Sequence, residues 1–231
     1  MRRVTVNGRW PLQVPDHLSV WDRPDGWEVE RLDAMFERIG PFSTVFYIGA
    51  AEGDMPALIA GWGARMVLVE PGTRVWSNIR VTWEANGLQP PAACFPGFAY
   101  DVTRDIAGID FLWPASSDGP VVDDHGFRNF VERPEIPSIR IDDLAGQNGL
   151  APTDISVDVE GSEWRVLRGA EWVLETYRPR LWVSIHPDFM WELLRDSATE
   201  MNRWIRERGY RGQYLSWIHE LHMLYTPVEV S

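Results

Sequence analysis

Two short apolar runs, at 45–48 and 66–69, stand on either side of a helical pattern and set the frame of the chain. Runs of β-branched and aromatic residues bounded by turn residues read as buried strands. The first run stops at Gly49, a helix is predicted over 54–62, and the second run ends in the carboxylate of Glu70. Strand, glycine turn, helix, strand and acid, in that order, make the first half of a nucleoside-binding βαβ unit.

Upstream, residues 1–27 mix Pro, Asp, Gly and Trp and read as an irregular lead-in with one strand over 3–6. From Glu28, the positions Val29, Leu32, Met35, Phe36 and Ile39 recur at helical spacing until Gly40-Pro41 stops them. Downstream, a helix is predicted over 74–85, ended by Asn86-Gly87, and a third strand over 93–98. The pattern dissolves over 102–135, which reads as an insertion near the acceptor side.

Regularity then returns at 136–144, followed by a strand at 155–159 and one helix carrying Leu167, Ala170, Leu174 and Tyr177 on a single face. A strand at 181–185 ends in His186-Pro187, and a capping box from Ser197 to Glu200 opens the last helix, which closes at Gly209. Runs at 213–218 and 221–225 read as a hairpin. The whole predicts an α/β fold: a doubly wound, Rossmann-like, mostly parallel sheet with helices on both faces and a C-terminal antiparallel edge hairpin. One domain over 1–231 is expected, since 231 residues with 45% hydrophobic content suffice for a single buried core.

A formal net charge of −12 works against nucleic acid as a partner and favours a neutral or cationic acceptor. No apolar run is long enough to span a bilayer and the N-terminus lacks a signal-peptide core, so a cytoplasmic protein with no membrane partner is expected. The single cysteine, Cys94, agrees with a reducing compartment. The 13 tryptophans serve as core bulk or as flat walls for an acceptor, and they are also compatible with a homo-oligomeric interface.

The glycine turn narrows the ligand. Gly49 and Gly53 permit left-handed backbone, Asp54 can cap the following helix with Pro56 in its first turn, and Glu70 is placed to hold ribose hydroxyls. A dinucleotide site would have a third glycine and receive a pyrophosphate, which Glu52 and Asp54 would repel. A sulfonium and an amine would be attracted, so S-adenosylmethionine is expected rather than NAD.

The chain resembles the FkbM-type methyltransferase family, a class I S-adenosylmethionine-dependent fold, over about 27–187. The resemblance rests on the run 45–50 (VFYIGA), Val69-Glu70-Pro71, Asn86-Gly87-Leu88, the block 158–170 (DVEGSEWRVLRGA), Arg178-Pro179 and Ile185-His186-Pro187. It implies methyl transfer to an oxygen, often a hydroxyl of a sugar or small-molecule acceptor. It also implies that Gly49, Ala50 and Gly53, flanked by Tyr47 and Glu52, run under the methionine part of the cofactor. Glu70 and Pro71 would meet the ribose, Gly97 and Phe98 the adenine, and Asp158, Glu160 and His186 the methyl and the acceptor. Three positions depart from the family pattern: Tyr47 replaces an Asp, Ser156 a Lys and Ser184 a Glu.

His186 is the leading base because an imidazole titrates near neutrality; its alternative role is to fix the turn before Pro187. Asp158 and Glu160, two apart at a strand end, order the acceptor or cofactor; with His186 they also have the chemistry for a divalent cation, but a metal is not favoured. A non-catalytic interaction module on the same fold is the alternative function. A nicotinamide oxidoreductase is disfavoured by the missing third glycine.

Overall fold

A computed structural model describes residues 1–115, 133–218 and 220–228. The chain opens with an antiparallel hairpin, β1 (Arg2–Val6) and β2 (Trp10–Val14), where one strand is predicted. Pro11 obscures the apolar run of β2, but Trp10, Leu12 and Val14 are all buried and alternate with the more exposed Pro11 and Gln13. Helix α1 (Val29–Phe36) follows, then β3 (Thr44–Ile48), α2 (Asp54–Gly61), β4 (Arg65–Val69), α3 (Trp76–Ala85) and β5 (Ala93–Phe95).

The strand predicted over 93–98 is cut at Pro96-Gly97, and the next residues form β6 (Phe98–Ala99), which pairs in parallel with β7 (Ser138–Ile139) outside the main sheet. Pro96 has no ladder N–H to give, and a Cβ at Gly97 would lie 2.4 Å from the Pro137 carbonyl oxygen. Half of the predicted insertion, residues 116–132, lies outside the described residues.

Next come α4 (Ile141–Asn148), β8 (Asp154–Val157), α5 (Glu163–Arg168) and α6 (Glu171–Thr176). The single helix predicted over the last two is thus two, broken at Gly169. A Cβ there would lie 2.2 Å from the Tyr100 carbonyl oxygen. Asp142 at the start of α4 reaches across and accepts the N–H groups of Trp172 and Val173 at the start of α6. The chain ends its fold with β9 (Arg180–Ile185), α7 (Ala198–Glu207), β10 (Tyr210–Trp217) and β11 (Leu221–Pro227). Ser197 caps α7 by accepting the Glu200 N–H at 3.3 Å, as the capping-box pattern predicts.

The main sheet has the order β10-β11-β9-β8-β3-β4-β5. β5, β4, β3, β8 and β9 are parallel, and β11 runs antiparallel between β9 and β10. Continuous apolar runs form the central strands because both sheet faces are covered. Phe46 and Ile48 pack on one side with Leu144, Val166 and Ile205; Val45 and Tyr47 pack on the other with Leu32, Leu58 and Ile79. Trp76, Trp83 and Trp182 are core bulk. Cys94 is buried, which pushes its thiol up to about 12. No described helix is long and apolar enough to cross a membrane.

Strand order reverses between β3 and β8: β3 continues to β4 on one side, and the later strands lie on the other. A crevice opens at such a switch point, beyond the carboxyl ends of the strands.

Candidate active site

The turn after β3 is built around that crevice. Gly49 (φ 87°) lies against the end of β8, where its own Cβ would fall 1.8 Å from the Asp158 carbonyl oxygen. The Gly49 and Ala50 N–H groups both donate to the Val69 carbonyl, and the Asp158 N–H donates to that of Ile48. Gly53 (φ 83°), not Asp54, is the N-cap of α2, and its α-carbon packs against Ile79. Asp54 is the first helical residue and accepts the Trp21 indole N–H at 2.7 Å.

Glu70 ties two turns together. Its Oε2 accepts the Ala51 N–H at 2.8 Å and its Oε1 the Gly72 N–H at 2.7 Å. Burial pushes this carboxyl up to about 7, against the pull of those two hydrogen bonds.

A cavity of ≈ 470 Å³ fills the crevice, a size suited to a small organic ligand. Its walls include six carboxylates, Glu28, Glu52, Asp54, Glu70, Asp158 and Glu160, and among the described residues no basic side chain. Trp21, Trp27, Phe98 and Tyr100 supply aromatic surface. Of the cofactor residues expected from the sequence, Tyr47, Gly49, Ala50, Glu52, Glu70, Pro71, Phe98 and Asp158 line the cavity. Gly53 and Gly97 do not; each shapes the wall from behind, at Ile79 and Pro137.

Three lining residues, Glu28 (φ 45°), Ala51 (φ 45°) and Glu160 (φ 51°), hold left-handed backbone without being glycine. Each such residue stores about 1–3 kcal/mol of strain, which accumulates at functional sites.

Asp158 and Glu160 face the cavity, whereas His186 stands behind them. Its Nε2 is 3.3 Å from Glu160 Oε2 and 3.9 Å from Asp158 Oδ1, and its Nδ1 is 2.7 Å from Glu163 Oε1. Burial pulls the imidazole down, but the Glu163 hydrogen bond and charge, helped by Asp158 and Glu160, push it up to about 9. His186 is therefore charged at neutral pH, unlike the near-neutral imidazole expected from sequence. Burial pushes Glu160 up to about 7 even against the attraction of His186.

The sequence reading missed Arg31. This fully buried guanidinium on α1 donates to Ser156 Oγ at 2.9 Å and Glu28 Oε2 at 2.5 Å, and lies 3.5 Å from Asp158 Oδ2. Its charge also acts on Tyr47. A cation from α1 thus serves the two central strands that carry Tyr47 and Ser156. The third departure, Ser184, lies 3.1 Å from His222 Nδ1. The available signal for Arg31 is its place four residues before Met35, on the buried helix face.

Residues 48–211 match the model of the methyltransferase FkbM domain. The crystal structure of methyltransferase FkbM from Methylobacillus flagellatus KT superposes with a TM-score of 0.56 at 18% identity, over 82% of this chain and 44% of that one. The chain therefore spans less than half the length of that protein. Precorrin-6y C5,15-methyltransferase from Geobacter metallireducens GS-15 gives a TM-score of 0.48 at 10% identity, over 93% and 92% of the two chains. Aeropyrum pernix fibrillarin, solved with natively bound S-adenosyl-L-methionine, gives 0.47 at 13% identity, over 97% and 81%. No curated protein sequence matches the chain. With the sheet order, the glycine turn and a family match covering most of its length, the chain belongs to the FkbM methyltransferase domain family.

Proposed function

We propose that the protein transfers a methyl group from S-adenosylmethionine to a hydroxyl oxygen of a small-molecule or sugar acceptor. The observation that carries this reading is the cavity wall of six carboxylates without a described basic side chain. Such a wall repels a diphosphate and attracts a sulfonium and an ammonium group. The cofactor supplies an electrophilic methyl carbon when bound.

The chain's own residues divide the remaining work. Glu70, fixed by two backbone N–H groups, has lone pairs left for ribose hydroxyls, and Phe98 offers a flat face to a purine. The loss of an acid at Tyr47 does not empty the wall of negative charge, since Glu28, Asp54 and Asp158 act on the same place. Trp21 and Trp27 give the cavity apolar aromatic wall, which suits the water-poor setting that an in-line displacement favours. Glu160 lines the cavity within 3.3 Å of His186, so this pair receives the acceptor proton, with the carboxylate as the group that touches substrate. The net charge of −12 favours an uncharged or cationic acceptor.

Calorimetric titration with S-adenosylmethionine, followed by turnover on a panel of hydroxylated acceptors, tests the proposal. Micromolar binding and a methylated oxygen are expected. No heat at high micromolar cofactor would overturn it, and cofactor binding with tight partner association but no turnover would favour an interaction module.

A further inference from the structure

We infer that Glu28, Glu220 and His222 form a binding site for one divalent transition-metal cation, Zn²⁺ or Mn²⁺, between the cavity wall and the C-terminal hairpin. One ligand atom from each of the three lies within 4.8 Å of the others. They come from separate elements: Glu28 is the N-cap of α1, Glu220 lies in the turn between β10 and β11, and His222 is on β11. Glu28 and His222 are 4% and 1% exposed, and the Glu220 side chain 11%.

The observation that points to a cation is the Nε2 of His222, which is buried and has no hydrogen-bond partner among the described residues. The nearest carboxylate oxygen, Glu220 Oε1, is 3.4 Å away, and the ring's other nitrogen is engaged with Ser184 Oγ at 3.1 Å. In the tautomer that donates Nδ1–H to Ser184 Oγ, Nε2 turns a bare lone pair toward two carboxylates. Acceptors facing acceptors repel one another unless a cation sits between them.

The surrounding charge agrees. Glu28, Asp158, Glu160, Glu163 and Glu220 converge here against the cations Arg31 and His186, and Arg31 is already committed to Glu28 Oε2 and Ser156. That leaves the second oxygen of Glu28 for coordination. One imidazole and two carboxylates suit Zn²⁺ or Mn²⁺ at about 2.0–2.2 Å better than Mg²⁺, which prefers oxygen ligands and retained water. A second grouping, Asp158, His186 and Glu220, shares Glu220, but both His186 nitrogens already face carboxylates, Glu163 and Glu160.

The site shares Glu28 with the cavity wall, and its test reads metal binding rather than methyl transfer. The full chain is stripped with a chelator, reloaded with Zn²⁺, Mn²⁺ or Mg²⁺, desalted and assayed for bound metal, with affinities from calorimetry and thermal melting. One Zn²⁺ or Mn²⁺ per chain and a metal-dependent rise in Tm are expected. His222→Gln and Glu28→Gln should each weaken binding by roughly tenfold or more, and Asp158→Asn should not. Absence of stoichiometric Zn²⁺ or Mn²⁺ in the wild type overturns the site. So does retention of the metal and its Tm rise in folded Glu28→Gln, or loss confined to Asp158→Asn.

Discussion

The carbonyl oxygen of Asp158 lies where the side chain of residue 49 would begin. A Cβ built on Gly49 falls 1.8 Å from it, and the backbone there is left-handed at 87°. Both groups are backbone, so no rotamer change relieves the overlap. Gly49→Ala is expected to cost roughly 2–4 kcal/mol and to abolish cofactor binding by parting β3 from β8. Chemical denaturation and calorimetry check the two effects separately.

Glu70 predicts opposite pH trends for binding and for folding. Its carboxyl titrates at about 7 in the fold against an ordinary 4.5. The folded state therefore holds this proton more tightly, and the residue's contribution to stability falls as pH rises from 4.5 to about 7. Ribose hydroxyls bind the ionised form, so cofactor affinity rises through the upper part of that window. Melting and titration at a series of pH values should show both trends in the wild type and a shallower stability trend in Glu70→Gln, where the raised carboxyl of Glu160 still contributes.

Arg31→Met removes the buried cation shared by Glu28, Ser156 and Asp158. Stranding buried carboxylates costs about 3–5 kcal/mol. Urea melts should record that loss, with partial recovery in the Arg31→Met, Glu28→Leu double variant, because the stranded acid is then gone too. Recovery distinguishes a charge effect from lost packing.

For Glu160→Gln, turnover on a methylatable acceptor should fall by roughly 10²–10⁴-fold while cofactor affinity stays within a factor of a few. Parallel loss of both would instead make Glu160 a wall residue.

The central βαβ unit was legible because its signals are local. The runs at 45–48 and 66–69 are buried on both faces, and the left-handed turn needs glycine at 49. What escaped depends on distant partners. The break at Gly169 is set by the carbonyl of Tyr100, and the split at Gly97 by that of Pro137. In the site, Glu70, Asp158 and Glu160 announced themselves as acids at strand ends. The charge state of His186 did not, since it is decided by Glu163, whose side chain meets the imidazole only in the fold. Arg31 was hidden by lying among the apolar residues of α1.

The position of β11 has a consequence for synthesis. It is made after β10 yet lies between β10 and β9, so the edge of β9 stays unpaired on the ribosome until residues 221–227 emerge. Glu220 and His222 arrive with that strand. A nascent chain ending before it carries the glycine turn and Glu70 but lacks the hairpin side of the acidic cluster. Nascent chains stalled just before and just after β11 emerges should accordingly differ in chaperone engagement and in protease resistance at β9.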